Sequence, residues 1–214
     1  MTPRRRLAVV AALALAVVAA AVIISPSPPH AETPATAAAP SLFDGIERDG
    51  ISLGSPDAPA TLIEFADLQC PFCAAYDLDT LPAVIERHVR TGRLRLELHV
   101  LNFLGEDSER GGAMAAAAAR QDRLWSFADA FYRSQGAENS GYVTDDFLKA
   151  TGEAAGLDVE RALADRERPE VLETLADAER AAAELKVDHT PALYLRRGDG
   201  PARPIEPAEL DAAL

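Results

Sequence analysis

The chain has 214 residues, 48% of them hydrophobic, with 21 basic against 34 acidic side chains and a formal net charge of −13. That is room for one ordinary domain plus an appendage. Arg4, Arg5, Arg6 and Glu32 are the only charged residues among the first 40, so the rest holds 18 basic and 33 acidic side chains, net −15, a field that sets aside DNA and RNA as partners.

Residues 1–6 form a basic N-terminus, and residues 7–24 carry no charged or polar side chain. Eighteen residues at about 1.5 Å each make a helix of roughly 27 Å, close to the thickness of a hydrocarbon core. The block ends on bulky Val22, Ile23 and Ile24, and the small residues near Ala31 and Ala37 come only later. An uncleaved signal-anchor is therefore expected over a cleaved signal peptide. The arginines keep the N-terminus cytoplasmic and send the remainder outward. The expected location is a single-pass position in a bacterial cell membrane with the domain outside, with secretion after cleavage as the alternative. No cysteine follows the block to carry a lipid. Residues 25–40, rich in Pro, Ala and Thr, read as a disordered linker, and His30 within it has no assigned role.

The domain is expected over 41–214. An edge strand at 51–53 and a turn precede a central strand, Ala60–Ala66, apolar and partly β-branched. Helical spacing over 74–90 is interrupted by Pro82, which predicts a kink or restart. Residues 93–100 alternate as a half-buried strand does, so strand, helix and strand predict a βαβ unit. Helical stretches follow at 108–120, 124–132 and from Thr144, a plausible cap. Pro169–Leu185 then offers Val171, Leu172, Leu175, Ala178, Ala182 and Leu185 for one face. Strands at 191–195 and 203–205 and a terminal helix complete one α/β domain with a helical insertion at about 105–186. Trp125, Phe127, Phe131 and Tyr132 are expected to pack that insertion. His88, His99 and His189 receive no chemistry.

Cys70 and Cys73, in Cys70-Pro71-Phe72-Cys73, are the only cysteines. A zinc site needs four ligands, and the remaining histidines are scattered. A stabilising crosslink gains little from so short a loop. The redox reading uses position: the pair lies where a strand gives way to a helix, whose free N–H groups favour a thiolate at Cys70. Pro71 suits the first helical turn, and Cys73, shielded by Phe72 and the helix, becomes the resolving thiol. Glu64, in an apolar strand, should have a raised pKa through desolvation and could carry protons.

With Glu64-Phe65, the C-x-x-C pair and Thr190-Pro191 before a late strand, the chain resembles the DsbA-like branch of the thioredoxin superfamily over residues 41–214. The resemblance implies a thioredoxin-like fold, a central mixed sheet flanked by helices. It implies thiol-disulfide exchange without metal or organic cofactor, with Cys70 and Cys73 catalytic and Pro71 and Phe72 tuning the couple. It also implies Glu64 in proton transfer, a cis Pro191, and Thr190 pairing its backbone with an incoming peptide. Its partners would be reduced secreted or envelope proteins and a membrane reoxidising protein, plausibly quinone-linked. Pro71-Phe72 lacks the histidine of the strongly oxidising members, so the potential does not carry over. The rivals are a reductase or isomerase of the same fold, though the linker is too short and unpatterned for a dimerisation domain, and a non-catalytic Cu(I) carrier or holdase.

Overall fold

The computed structural model describes residues 41–214. The basic N-terminus, the signal-anchor and the linker expected over 1–40 lie outside the described residues. Six strands, β1 (Arg48–Asp49), β2 (Ser52–Leu53), β3 (Ala60–Ala66), β4 (Arg95–Val100), β5 (Ala192–Arg197) and β6 (Arg203–Pro204), form one sheet in the order β1-β2-β4-β3-β5-β6. β3 lies inside this mixed sheet. It runs parallel to β4, with Glu64 opposite Leu98, and antiparallel to β5, with Phe65 opposite Ala192. Flanked on both edges, its residues are all buried except Thr61, which explains its nearly unbroken apolar run.

The parallel pair needs a crossover, and the helical run 71–89, α1, supplies it. Pro82 is expected to kink the run or restart it, and the α-helix does restart at Leu81, though through a change of winding rather than a simple break. α-Helical Pro71–Ala75 and Leu81–Val84 alternate with wider π-helical turns, Tyr76–Thr80 and Ile85–Val89. Pro82 sits in the first turn of Leu81–Val84, where the widened turn before it accommodates a ring without an N–H. The run starts at Pro71, the first-turn position expected of that proline, three residues before the helical spacing at 74 becomes apparent.

Alternation along β3 divides the core between the two faces of the sheet. Leu62 and Ala66 join the side chains of α1, while Ile63 and Phe65 meet Ala178 and Ala182. The latter belong to α6 (Pro169–Leu185), last of the insertion helices after α2 (Glu106–Ala119), α3 (Leu124–Arg133), α4 (Asp145–Ala154) and α5 (Val159–Asp165). Thr144 caps α4, its hydroxyl accepting from Phe147 N–H at 3.2 Å. The sequence pattern did not separate α5, which Asp158 caps in the same way toward Arg161 N–H at 3.1 Å. Leu172 departs from expectation: it is 47% exposed, a turn-step away from the stripe of Val171, Ala178 and Ala182 that faces inward. Trp125, Phe127, Phe131 and Tyr132 are buried, and the Trp125 indole donates to Ile51 O at 3.0 Å. A short helix, α7 (Leu210–Ala213), closes the chain. Among the described residues no helix is long and apolar enough to cross a membrane.

Candidate active site

β3 ends at Ala66, and the turn that follows is built on Asp67. Its buried carboxylate accepts from Gln69 N–H at 2.8 Å and Ser108 hydroxyl at 2.7 Å through one oxygen. The other oxygen accepts from Phe103 and Leu104 N–H at 2.7 and 3.0 Å. Gln69 extends the web to Asn139, whose main-chain N–H donates to the Gln69 side-chain oxygen Oε1 at 2.8 Å. Gln135, beyond α3, donates to Leu68 O at 2.8 Å and to Cys70 O at 3.3 Å. The insertion thus holds the loop that presents the cysteines. Sequence reasoning missed Asp67, Gln69, Ser108, Gln135 and Asn139; the polar Asp67 and Gln69 directly after an apolar strand were the available signal.

Cys70 is the last extended residue before α1, at φ −70° and ψ 119°, and Pro71 opens the helix. Both cysteines are free thiols and both are buried. The Cys70 sulfur is pushed down to about 5, first by a hydrogen bond from the Cys73 thiol. Burial opposes this, and the Thr190 hydroxyl and the Cys73 and Phe72 N–H groups add to it. The start of the helix therefore contributes, but the neighbouring thiol contributes more than the sequence argument assigned to it. Thr190 meets the sulfur in a second way: its carbonyl oxygen lies 3.4 Å from Sγ, positioned to accept from the neutral thiol. Cys73 is pushed far up, by burial and then by Cys70. One sulfur is a ready anion and the other holds its proton.

Phe72 does not shield Cys73 as expected; it is 74% exposed, projecting from the helix start, and the core itself buries Cys73. The Thr190–Pro191 peptide bond is cis, and Pro191 lines a groove of about 470 Å³ together with Tyr76, Asp79, His189, Tyr194 and Glu206. His189 is exposed at its edge, with Nδ1 2.8 Å from Asp188. His88 and His99 serve packing: His88 Nε2 is 2.7 Å from Asp211, and His99 lies against Phe65 at 5.0 Å between ring centres.

Glu64 is 2% exposed and its carboxyl is held well above the usual range by burial, then by Asp77. Asp77, which the sequence reading passed over, is pushed up to about 8 by burial and then by Asp129, while the neighbouring Glu64 carboxyl pulls the other way. Among the described residues no group of three or more His, Cys, Asp or Glu is arranged to hold a metal ion.

A thioredoxin family model matches residues 47–214. "Probable disulfide bond formation protein D" of Bacillus cereus is 31% identical over 148 residues, 67% of this chain and 68% of the relative. Its Bacillus anthracis counterpart is 32% identical over the same shares of each chain. In three dimensions the chain is similar to oxidised BdbD of Bacillus subtilis, with a TM-score of 0.66 at 19% identity over 77% of this chain and 88% of that one. Chlamydia trachomatis DsbA superposes with a TM-score of 0.64 at 16% identity over 76% and 88%; at such identities these likenesses establish the fold. The chain belongs to the thioredoxin family, within its DsbA-like branch of thiol-disulfide oxidoreductases.

Proposed function

We propose that this protein oxidises cysteine pairs in exported or envelope proteins through a Cys70–Cys73 disulfide. The observation that carries the reading is the split between the two sulfurs, Cys70 pushed down to about 5 and Cys73 pushed up. A substrate thiolate attacks Cys70 Sγ and forms a mixed disulfide while Cys73 departs. The substrate's second thiolate then attacks the substrate sulfur of that bond, and Cys70 leaves as an anion already stabilised by its surroundings. Stabilising the reduced form makes the disulfide easy to reduce, which is what an oxidant of other thiols requires.

The groove beside Pro191 is placed to receive the peptide around the substrate cysteine, with Thr190 offering main-chain groups and Phe72 an exposed apolar contact. Glu64, buried near Cys73, serves as its proton donor and acceptor. The names of the Bacillus relatives, disulfide bond formation proteins, support this direction of exchange. In the same reading residues 7–24 anchor the domain on the outer side of a bacterial membrane, and a membrane protein, quinone-linked, restores the disulfide.

Equilibration of the cysteine pair against glutathione tests the direction. A potential well above thioredoxin's, about −270 mV, is expected; a value as negative as that overturns the oxidase assignment in favour of a reductase. In a refolding assay on a reduced disulfide-containing protein, Cys70→Ala loses activity. Full activity in that variant sinks the catalytic reading and favours a binding module.

A further inference from the structure

Beyond residue 40 the chain holds 33 acidic against 18 basic side chains, yet one cavity gathers arginines. Arg48 on β1, Arg123 just before α3 and Arg133 at the end of α3 line a space of about 460 Å³, together with Ser126 and Ser134. The three cations are not equally partnered. Arg133 is fully engaged, with Asp129 accepting from two of its nitrogens at 2.7 and 2.8 Å. Arg48 donates to Phe43 O at 2.7 Å and stands 3.8 Å from Asp44, but its Nε is buried with no acceptor among the described residues. Arg123 makes no ion pair among the described residues, and its one hydrogen bond goes to the adjoining carbonyl of Asp122 at 3.3 Å. Burial, and then the Arg123 charge, make the Arg48 cation harder to hold than an ordinary guanidinium; Asp44 and Asp122 offset this only in part. α3 has ten residues and no side-chain cap, so the positive end of its dipole adds to the two guanidiniums. The wall formed by the end of α4 does not cancel this. Its Thr151, Gly152 and Glu153 carbonyls are already taken by the N–H groups of Ala155, Leu157 and Gly156.

We propose that this cavity binds a phosphate-bearing anion, held by the neighbouring guanidiniums of Arg48 and Arg123 with the Ser126 hydroxyl donating beside them. A carboxylate is matched by a single guanidinium fork. Two forks, a hydroxyl and a helix start around one space suit a tetrahedral group that carries several acceptor oxygens and more than one charge. The cavity is larger than a bare phosphate and leaves room for the organic part of an ester against Phe43 and Ala130. An anionic phospholipid headgroup and a soluble phosphate share this chemistry. Thiol exchange at Cys70 and Cys73 uses none of these residues, so the site stands independently of the oxidase reading.

The test is calorimetric titration of the full-length protein, held in a non-ionic detergent at fixed ionic strength, with three probes: inorganic phosphate, glycerol 3-phosphate and the diester glycerophosphoglycerol. Saturable binding of one anion per chain is expected. The tightest of the three names the source: the diester points to a lipid headgroup, phosphate or the monoester to a soluble anion. Arg123→Gln weakens binding about 10-fold or more, because hydrogen bonds between charged groups are the strong ones. Arg123→Lys, which keeps the charge and loses the fork, recovers part of the affinity. Arg93→Gln, which removes an exposed arginine outside the cavity, leaves binding unchanged. Ser126→Asp sets a carboxylate among the same donors and abolishes binding. An acid in the first turn of a helix favours folding, so this variant decides the matter should Arg123→Gln fail to fold. The proposal is overturned by any of three results: no saturable binding of any probe, wild-type affinity in folded Arg123→Gln or in Ser126→Asp, or an equal loss in Arg93→Gln.

Discussion

At Cys70 the sources of thiolate stabilisation fall in an order that can be checked. Absorbance of the reduced protein at 240 nm should titrate with a midpoint near pH 5. Cys73→Ala removes the largest donor and should raise that midpoint more than Thr190→Val, which removes a smaller one. The reverse order would mean that the loop before β5, rather than the second cysteine, controls the nucleophile. Linkage gives a stability counterpart. The folded value lies below that of an unfolded cysteine, about 8.5, so folding favours the anion. This contribution is complete above about pH 8.5 and is lost as pH falls toward 5. The disulfide form lacks it, so calorimetry should show the Tm advantage of the reduced over the oxidised protein shrinking between pH 8 and 5. A constant gap contradicts the assignment. The pairing of Cys70 with Cys73 at a strand end was legible from their spacing, whereas the cis bond before Pro191 was expected only from the family resemblance. Asp77 was not: an acid at that position in a helix is ordinarily solvated, and only the packed fold shows that it turns inward toward Glu64. Phe72 was misjudged for a related reason, since its place between two cysteines does not say which side of the helix it takes.

Among the elements, the turn between β3 and α1 depends on a single side chain. Replacing Asp67 with Ala leaves the N–H groups of Gln69, Phe103 and Leu104 and the Ser108 hydroxyl without their acceptor. Buried donors left unpaired cost 1–3 kcal/mol each at most and do not add fully, so a loss of about 3 kcal/mol is expected. For a domain of this size that is about 10 °C in Tm. Because the same web runs through Gln69 to Asn139, the variant should also speed proteolysis after α3; a change under about 1 kcal/mol would show that water or a neighbouring acceptor replaces the carboxylate. The strands and most helices were readable from period and caps, as β3 and Thr144 illustrate. The π-helical turns around Pro82 were not, because they reflect how the chain fits an N–H-less residue between two packed faces. Leu172 shows the same limit: apolar character placed it on α6 but the inward stripe runs through its neighbours.

For the whole molecule, charge acts on encounter more than on fold. Residues beyond 40 hold 33 acidic against 18 basic side chains, and Asp79 and Glu206 stand at the groove beside Pro191, with the exposed Phe72 at the helix start. A cysteine peptide approaching this surface meets a negative potential before it meets sulfur. Such fields change association rates rather than the chemical step, and they decay over about 8 Å at physiological salt. Oxidation of dithiol peptides flanked by lysine should therefore outpace that of otherwise identical peptides flanked by glutamate at low ionic strength. The ratio should collapse toward one as salt is added, with the rate of release from the mixed disulfide unchanged. Charge reversal at the groove, Asp79→Lys with Glu206→Lys, should shrink or invert the preference while leaving the Cys70 titration in place. If both peptides react equally at low salt, the groove does not lie on the route to Cys70, and the substrate must approach from another side of the sulfur.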